Sequence, residues 1–459
     1  MTERELPAAP PLRKIVGPSV ILVGVGIASG EYILFPYIAS QVGLVFLWAA
    51  LVGLLTQYFI NMEVERYTLA TGETAITGFQ RLWRPFGIVM VACAIIPNMW
   101  PGWVISAGTI TTFLLDWGDP NVIAICALFA IGIALSASPV VYQTIEKLEF
   151  VKVALVLLFL VVALAAAVTA DGYRELGSVV TDFGTFPTDE LSWAVLLGAL
   201  AYAGAGGTNN LVLSNWIRDK GYGMGSYAPR IVSPITGEEE AAPSGKGYVF
   251  APDEGNLGRW RVWWKRANIE QFVSFFVIGA LTITVFSLVA YSTVFENPQV
   301  QEDNFDFIEI EGTVLKDAVG PWFGTLFWCI GAISLFGAAL GIIDYVSRLV
   351  ADVLRVGYLR DSERWTESVL YFTVVWGIIL FGTAVLLAGF DQPLTLVVLA
   401  AALSGGVMFI YSMLLIAINR RFLPRPLKIG GVRLAVLLWA VVLFGVMSVI
   451  VVIDEAGNL

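Results

Sequence analysis

Two clusters of small and polar residues interrupt long apolar runs of this chain, and both contain groups that can bind ions. The first, Ala28-Ser29-Gly30-Glu31, lies inside the apolar run from Ile15 to Ala39. The second, Gly204-Ala205-Gly206-Gly207-Thr208-Asn209-Asn210, lies inside the run from Ser192 to Ile217. Carboxylate, amide and carbonyl oxygens are the ligands that hard cations prefer. The clusters therefore predict a binding site for a cation or for a small solute with a charged group.

Glu31 is the strongest single candidate, because acids inside an apolar membrane run are rare and costly. Gly30 can adopt backbone angles closed to other residues, and Pro36 removes a backbone donor, so we expect the helix to unwind or kink near Glu31. The carboxylate there is predicted to bind a cation, take up a proton or pair with an amine. The alternative is a buried structural acid, hydrogen-bonded to the sixth span and kept neutral by desolvation.

The second cluster combines exposed backbone with polar side chains. Its glycines allow ligands to approach the backbone, and the ends of two half-helices would supply dipoles that suit ions. A close crossing of two helices at small residues is the structural alternative. The predicted substrate-binding residues of the two clusters are Ala28, Gly30, Glu31, Gly204, Gly207, Thr208, Asn209 and Asn210. Among these we expect Glu31, Asn209 and Asn210 to ligate a metal ion, and Glu31 to couple protons.

The elements that position both clusters are membrane-spanning helices. The chain has 459 residues, of which 57% are hydrophobic and 14% charged, with a mean hydropathy of +0.77, as is typical of a polytopic membrane protein. Eleven apolar runs reach about 20 residues, the length that crosses a bilayer. They are Ile15–Ala39, Leu44–Val64, Phe86–Leu115, Val122–Tyr142, Phe150–Ala170, Ser192–Ile217, Ile269–Tyr291, Trp322–Val350, Val369–Ala388, Leu394–Ile418 and Val432–Ile453.

The two clusters fall in the first and sixth runs, which occupy corresponding positions in two five-helix halves. Non-helical backbone at membrane depth is tolerated only beside protein or a polar cavity, and such paired interruptions are the best sequence pointer to a secondary transporter with a midplane site. We therefore predict an all-α membrane protein of eleven transmembrane helices, with a five-plus-five inverted repeat and broken helices 1 and 6.

Basic residues predict the orientation of the chain, because Lys and Arg stay on the cytoplasmic side. With the N-terminus inside, all 27 basic residues except Arg174 and Lys316 fall in cytoplasmic segments. The prediction is an integral protein of the cell (inner) membrane, with its N-terminus cytoplasmic and its C-terminus outside. Its divisions are a cytoplasmic tail (1–14), a ten-helix core (15–418) that includes a cytoplasmic loop (218–266), and a cytoplasmic connection with an accessory eleventh helix (419–459).

The end of the cytoplasmic loop mixes aromatic and basic residues in Trp260-Arg261-Val262-Trp263-Trp264-Lys265-Arg266. Such a cluster beside a span predicts an interfacial anchor or an in-plane helix. Anionic lipid accounts for its charge, so the expected partners are the bilayer and the transported species, and no nucleic acid. Nothing in the sequence predicts an oligomeric state.

Four further signals are weaker. Pro97, Asn98 and Pro101 predict a kink in the third span, with carbonyls freed to line a pathway or with a purely structural role. Asp344 and Arg348 share a helix face and predict a local ion pair. The pair Gly405-Gly406 in the tenth span is expected to let a neighbouring helix approach. Three charged residues in the second span predict a solvated helix end: Glu63, Glu65 and Arg66.

These motifs resemble the Nramp (natural-resistance-associated macrophage protein) family of proton-coupled divalent-metal transporters, whose members have the LeuT-type fold of the amino acid–polyamine–organocation superfamily. Gly17-Pro18 is similar to the Gly-Pro that opens the family's first span. Ala28-Ser29-Gly30-Glu31 stands where the family has Asp-Pro-Gly-Asn, and Gly207-Thr208-Asn209-Asn210-Leu211 where it has Met-Pro-His-Asn-Leu. Thr71-Gly72, and Asp344 with Arg348, are also similar.

Departures from the family motif fall on the metal ligands that the resemblance implies. Ala28 replaces the family's Asp, Glu31 replaces its Asn, and Gly207 replaces its Met, and the chain contains no histidine. The soft sulfur ligand that favours manganese or iron over magnesium and calcium is therefore absent from the motif. The resemblance implies the fold and a transport function more strongly than it implies a particular metal.

The sequence thus predicts an Nramp-related secondary transporter that moves a cation, most simply a hard divalent ion, by alternating access. A transporter of a small organic solute, such as an amino acid or an amine, is the alternative, because a glycine-rich sixth helix leaves room for a larger body. A non-transporting sensor or scaffold is the third hypothesis. No nucleophile–base pair or catalytic metal cluster is recognisable, so we expect neither an enzyme nor a cofactor.

Overall fold

A computed structural model describes residues 1–137, 142–228, 230–232, 239–241, 247–298, 300, 305–359 and 362–457. Its helices are α1 (Pro18–Ser29), α2 (Phe35–Val42), α3 (Leu47–Thr71), α4 (Ala75–Leu82), α5 (Phe86–Asn98), α6 (Gly102–Leu115), α7 (Pro120–Ala137), α8 (Tyr142–Ala166), α9 (Ala170–Glu175), α10 (Ser178–Thr181), α11 (Trp193–Tyr202), α12 (Asn209–Asp219), α13 (Glu254–Gln271), α14 (Ile278–Thr293), α15 (Asp306–Ala318), α16 (Pro321–Gly357), α17 (Glu367–Leu387), α18 (Pro393–Arg421) and α19 (Gly431–Gly457).

The helices give the predicted number of crossings. In the described part of the chain, ten helical segments are long and apolar enough to span a membrane, and the shorter apolar helix α11 with α12 supplies the sixth crossing. Span 1 consists of α1 and α2, span 2 of α3, span 3 of α5 and α6, span 4 of α7, span 5 of α8 and span 6 of α11 and α12. Spans 7 to 11 are the helical segment from α13 to α14, then α16, α17, α18 and α19. The predicted all-α membrane fold is confirmed.

Burial separates a central span from peripheral ones. Every residue in the apolar window of span 1 is buried, whereas only 22% of the window in span 11 is. A helix that is apolar all round must be covered on every side, and span 1 meets this condition because spans 5, 6, 7 and 8 pack around it. Span 11 packs on spans 2 and 10 and on α11. The predicted site on span 1 therefore lies at the centre of the bundle.

The interruptions of the spans take different forms. Span 6 loses its helical structure between Tyr202 and Asn209, as predicted. Span 1 does not unwind, because Gly30–Leu34 continues the helix as a π-helical turn. A second π-helical turn, Phe272–Val277, joins α13 to α14. Span 3 is broken rather than kinked, since α5 ends at Asn98 and α6 begins at Gly102.

The N-terminal segment lies against the connection between spans 6 and 7. Strand β1 (Thr2–Glu3) pairs in parallel with β4 (Tyr248–Val249), and β2 (Arg230–Val232) pairs with β3 (Glu239–Ala241) in an antiparallel hairpin. The other short elements are three 3-10 helices, Leu12–Lys14, Gly223–Tyr227 and Arg425–Leu427. Residues 229, 233–238 and 242–246 of the predicted cytoplasmic loop lie outside the described residues.

The aromatic and basic end of this connection is not an in-plane helix. It belongs to α13, which continues into span 7. Trp260 and Trp263 are buried rather than lipid-exposed, and the indole of Trp263 donates to the carbonyl oxygen of Pro7 at 2.8 Å. The sequence pattern of an anchor was misleading because the N-terminal segment covers these rings.

Candidate functional site

The break in span 6 is built on glycine conformations that other residues rarely adopt. The φ angles of Gly204, Gly206 and Gly207 are 107°, 64° and 55°, in the left-handed region. A side chain at these positions would be strained. The chain can therefore reverse its backbone between α11 and α12, which leaves carbonyl and amide groups without helical partners.

Gln57 of span 2 satisfies these freed backbone groups. Its Nε2 donates to the carbonyl oxygens of Ala201 at 2.9 Å and Ala203 at 2.7 Å, and its Oε1 accepts from the amide of Gly206 at 2.9 Å. Sequence reasoning missed Gln57. The available signal was an uncharged polar side chain in the middle of an apolar run, which usually marks a polar partner across the helix interface.

The polar residues of span 6 are buried, and two of their amide oxygens have no hydrogen bond. Asn209 donates to the carbonyl oxygen of Ala205 at 2.9 Å, and Asn210 donates to the hydroxyl of Tyr411 at 3.0 Å. The Oδ1 atoms of Asn209 and Asn210 have no partner among the described residues. Oxygen atoms buried without a donor are costly, so these two atoms are positioned to accept a ligand.

Thr208 connects the break in span 6 to the break in span 3. Its Oγ1 accepts from Nδ2 of Asn98 at 3.4 Å, and Tyr345 of span 8 donates to Oδ1 of Asn98 at 3.3 Å. Asn98 also borders a pocket lined by Trp100, Trp103 and apolar residues of spans 4, 8 and 9. The residues that the sequence singled out in spans 3 and 6 therefore meet at Thr208.

Gly30 serves close packing rather than an unusual backbone angle. Its φ of −65° is helical, but a Cβ atom there would overlap the carbonyl oxygen of Tyr202 at the end of α11. One turn earlier, a Cβ atom on Gly26 would lie 2.6 Å from the carbonyl oxygen of Gly204. The structure therefore brings the two interrupted spans together at small residues, and Ala28 between them is fully buried.

We expect Gly30→Ala to reduce stability sharply, by about 3 kcal/mol or more, since overpacking against a backbone atom leaves little room to adjust. The measurement is thermal unfolding of the purified protein in detergent. Gly341→Ala in span 8 is the matched control, because a Cβ atom there meets nothing within 4 Å. Equal unfolding temperatures for the two variants would contradict the close approach of spans 1 and 6.

Glu31 hydrogen-bonds to span 7 rather than to span 6. Its Oε2 accepts from the hydroxyl of Thr282, and its Oε1 is buried without a partner among the described residues. Gly279, one turn before Thr282, leaves space beside Oε1. The predicted alternative, a hydrogen bond from Glu31 to span 6, is therefore not present among the described residues of this conformation. Glu31 has different polar partners from Asn209 and Asn210.

A buried ion pair stands near Glu31 on span 5. Lys152 and Glu149 are 2.7 Å apart, and the Lys152 ammonium group lies within electrostatic range of the Glu31 carboxylate. A Cβ atom on Gly24 of span 1 would overlap the carboxylate of Glu149. Lys152 lies near the start of the predicted fifth span and is only 8% exposed.

The weaker sequence signals have mixed outcomes. The Asp344–Arg348 ion pair is confirmed at 3.0 Å, and Tyr371 donates to Asp344 at 2.7 Å. Gly405 lets α11 approach, since a Cβ atom there would lie 2.7 Å from Leu197. The prediction of a solvated helix end in span 2 is wrong. Glu63, Glu65 and Arg66 are all buried because α13, the N-terminal end of α19 and Leu427 cover them.

Comparison with known proteins supports the fold. No protein-family model matches the chain, and no curated protein matches it. A manganese transporter of Eremococcus coleocola, in complex with an aromatic bis-isothiourea compound, is similar with a TM-score of 0.65 at 10% identity over 99% of this chain and 88% of that one. A nucleobase-cation-symport-1 family transporter, closed and with bromovinylhydantoin bound, has a TM-score of 0.56 at 14% identity over 96% of this chain and 90% of that one.

These similar structures are transporters, not enzymes. At such low identity the likeness defines the fold of this chain and leaves its substrate open. The fold and the buried, interrupted helices define an integral membrane protein with the architecture of LeuT-type secondary transporters. In the described residues, no group of three or more His, Cys, Asp or Glu side chains is close enough to hold a metal ion.

Proposed function

We propose that this protein is a secondary transporter that moves a hard divalent cation, such as Mg²⁺, across the cell membrane by alternating access. One observation carries the proposal: Asn209 Oδ1, Asn210 Oδ1 and Glu31 Oε1 are buried oxygens with no donor in the described part of the chain, and they lie on the two interrupted central spans. A bound cation would satisfy such oxygens, whereas leaving them unpaired is unfavourable. The proposed orientation has the N-terminus in the cytoplasm and the C-terminus outside.

The proposed roles follow from the chemistry of each group. Asn209 and Asn210 supply amide oxygens, and Thr208 and the carbonyls near Ala28 and Gly204 supply further neutral oxygens. Glu31 supplies the negative charge and is the acid through which a coupled proton would pass. Because it bonds to Thr282 in this conformation, we assign its approach to the amide oxygens to another step of the transport cycle.

Packing and ligand type both favour a small hard ion. Spans 1 and 6 are in close contact, because a Cβ atom on Gly30 would overlap Tyr202. The narrow space between them suits an ion better than a larger organic molecule. Oxygen ligands suit magnesium, calcium and manganese alike, and the missing sulfur removes the soft ligand that would favour manganese over the other two. The manganese transporter with the similar fold supports a divalent ion as the class of substrate, and the absent sulfur supports a different preference within that class.

The test is flux of Mg²⁺, Ca²⁺ and Mn²⁺ into liposomes that contain the purified protein. We expect saturable uptake that prefers Mg²⁺ or Ca²⁺ to Mn²⁺. We expect Asn209→Leu, which removes one ligand oxygen, to weaken the apparent affinity by about tenfold, since one hydrogen bond or ligand to a charged species is worth about 1.5–3 kcal/mol. Asn121→Leu is the matched control, because Asn121 lies at the start of span 4 beside Asp391, away from the site.

Absence of flux for all three ions, in protein shown to be folded, would contradict the cation proposal. The second candidate, transport of a small organic solute, would then be favoured, since a transporter of similar fold is described with a hydantoin bound. Thermal stabilisation of the protein by an amino acid or an amine, without a response to divalent ions, is the outcome that this second candidate expects.

A further inference from the structure

Two buried carboxylates lie outside the candidate site, on the two helices where span 2 packs against the start of span 7. Glu65 of α3 is 3% exposed, and Glu270 at the end of α13 is 4% exposed. The two carboxylates interact electrostatically. Two like charges at such a place repel strongly because little water screens them, so the pair is stable only if one of the two carboxylates holds a proton.

The surroundings decide which carboxylate is ionised. Glu270 accepts hydrogen bonds from the hydroxyl of Ser19 and from the amide of Gly17 at 3.4 Å. Lys220 also lies within electrostatic range of Glu270. These donors favour a charged Glu270. In contrast, the Oε2 atom of Glu65 is buried without a hydrogen-bond partner among the described residues, so the proton belongs on Glu65.

Other charged and titratable groups on the surrounding elements are engaged elsewhere. Glu63 pairs with Arg66 at 2.7 Å and with Arg433 at 3.5 Å, so span 2 and span 11 offer no unpaired cation to Glu65. Two tyrosines donate to side chains: Tyr58 to Asn268 at 3.1 Å and Tyr67 to Glu73 at 2.7 Å. The other groups donate to backbone carbonyl oxygens: Lys220 to Val16 at 3.0 Å, Tyr222 to Lys14 at 2.7 Å and Arg266 to Ala9 at 2.7 Å.

A second observation indicates that this place binds something. Asn61 lies one helical turn before Glu65 on the same face of α3, is fully buried, and has no hydrogen bond at either amide atom among the described residues. Gln57, one turn earlier again, holds the break in span 6. This polar face therefore runs about 12 Å along the helix, from the break in span 6 to the acid pair.

We propose that Glu65 and Glu270 form a proton-binding site that holds one proton in this conformation and releases it when the start of span 1 moves. Glu270 is the acceptor for the first donors of α1, where the helix dipole also favours a negative charge. When Glu65 gives its proton to water, both carboxylates are negative and repel. The repulsion weakens the packing of span 2 against Glu270, which is the residue that accepts hydrogen bonds from the start of span 1.

The π-helical turn at Gly30–Leu34 separates this start of span 1 from α2, so a displacement of α1 would be absorbed beside Glu31. The site thereby connects proton release to the half of span 1 that borders the candidate cation site. The proton site itself stands on its own observations, and only its coupling to transport rests on the proposed function.

Two measurements without any transported substrate test the site on the full chain. The first is infrared difference spectroscopy during a pH titration of the purified protein in lipid. We expect a protonated carboxylic acid band that titrates in the wild type, is lost in Glu65→Gln, and persists in Glu311→Gln. Glu311 is the matched control, because it is a fully buried acid on α15 without a partner at either oxygen among the described residues.

The second measurement is the distance between spin labels at Leu12→Cys and Leu55→Cys, in a chain whose three native cysteines are replaced by serine. Leu12 and Leu55 are 36% and 44% exposed and accept a label. We expect the distance to change as the pH rises in the wild type, and to stay at its low-pH value in both Glu65→Gln and Glu270→Gln, because neither variant can carry two negative charges at this site.

A pH-independent label distance in the wild type would overturn the proposal, as would a Glu65→Gln variant that titrates like the wild type in both measurements. If Glu65→Gln does not fold, the wild-type spectrum and the Glu270→Gln distance decide instead. Absence of cation flux in the wild-type protein would contradict the proposed function but leave both of these readouts unchanged, so the two failures are distinguishable.

Discussion

Glu31→Gln is expected to abolish saturable cation uptake while the protein stays folded. The substitution preserves the size of the side chain and an oxygen for the Thr282 hydroxyl, and it removes the one negative charge that we assign to the site. A unit charge about 4 Å from another contributes about 4 kcal/mol at an effective dielectric of 20. Since 1.4 kcal/mol is tenfold in affinity, losing this charge should reduce uptake by more than a hundredfold.

The measurement compares initial rates of Mg²⁺ uptake in liposomes at equal protein density. Glu311→Gln is again the control, because it removes a buried acid without touching span 1 or span 6, and we expect its uptake to stay within about twofold of the wild type. The uptake rate of Thr282→Val should lie between those of Glu31→Gln and Glu311→Gln, since this variant keeps the charge of Glu31 but lacks the donor that orients its carboxylate. Uptake by Glu31→Gln at the wild-type rate would disprove the assignment of Glu31.

Gln57→Leu is expected to cause the largest loss of stability. The substitution removes the side chain that bonds the carbonyl oxygens of Ala201 and Ala203 and the amide of Gly206. Each buried backbone group left without a partner costs about 1–3 kcal/mol, so we expect a loss of several kcal/mol in the free energy of unfolding. Denaturant or thermal unfolding in detergent measures this effect.

Gln271→Leu is the matched control for that experiment. Gln271 is also fully buried, but neither of its amide atoms has a hydrogen bond among the described residues. Replacing an unpaired buried amide by an apolar group is neutral or stabilising. A Gln57→Leu protein as stable as Gln271→Leu would mean that water, rather than Gln57, satisfies the backbone of the break.

The positions of the interruptions were predictable because the membrane imposes a simple rule on the sequence. A cluster of glycines beside polar side chains is unfavourable in a lipid-facing helix, and non-helical backbone is tolerated only beside protein or a cavity, so the segment from Gly204 to Asn210 indicated the break in span 6. The same rule did not define the form of the interruption in span 1, where Gly30 is helical. Gly30 is required because Tyr202 is packed against it, and that contact joins residues more than 170 positions apart.

Charged residues were the least predictable part of the chain. A sequence places Glu63, Glu65 and Arg66 at the end of an apolar run, which normally means water. Their burial depends on α13, the start of α19 and the segment near Leu427, three elements distant in sequence. Glu149 and Lys152 are also buried, since each supplies a nearby counter-ion that lets the other remain inside the protein.

The sequence by itself determined the number and order of the spans, the break in span 6, and the set of oxygen-bearing residues on the two central spans. These follow from hydropathy and backbone preference, which are properties of a few neighbouring residues. Only the tertiary structure decided that Gln57 bonds the backbone of the break, that Glu31 accepts a hydrogen bond from Thr282, and that Glu65 lies within electrostatic range of Glu270. Each of these depends on which helices pack together, and helix–helix pairing depends on the packing of surfaces across the whole bundle rather than on local spacing.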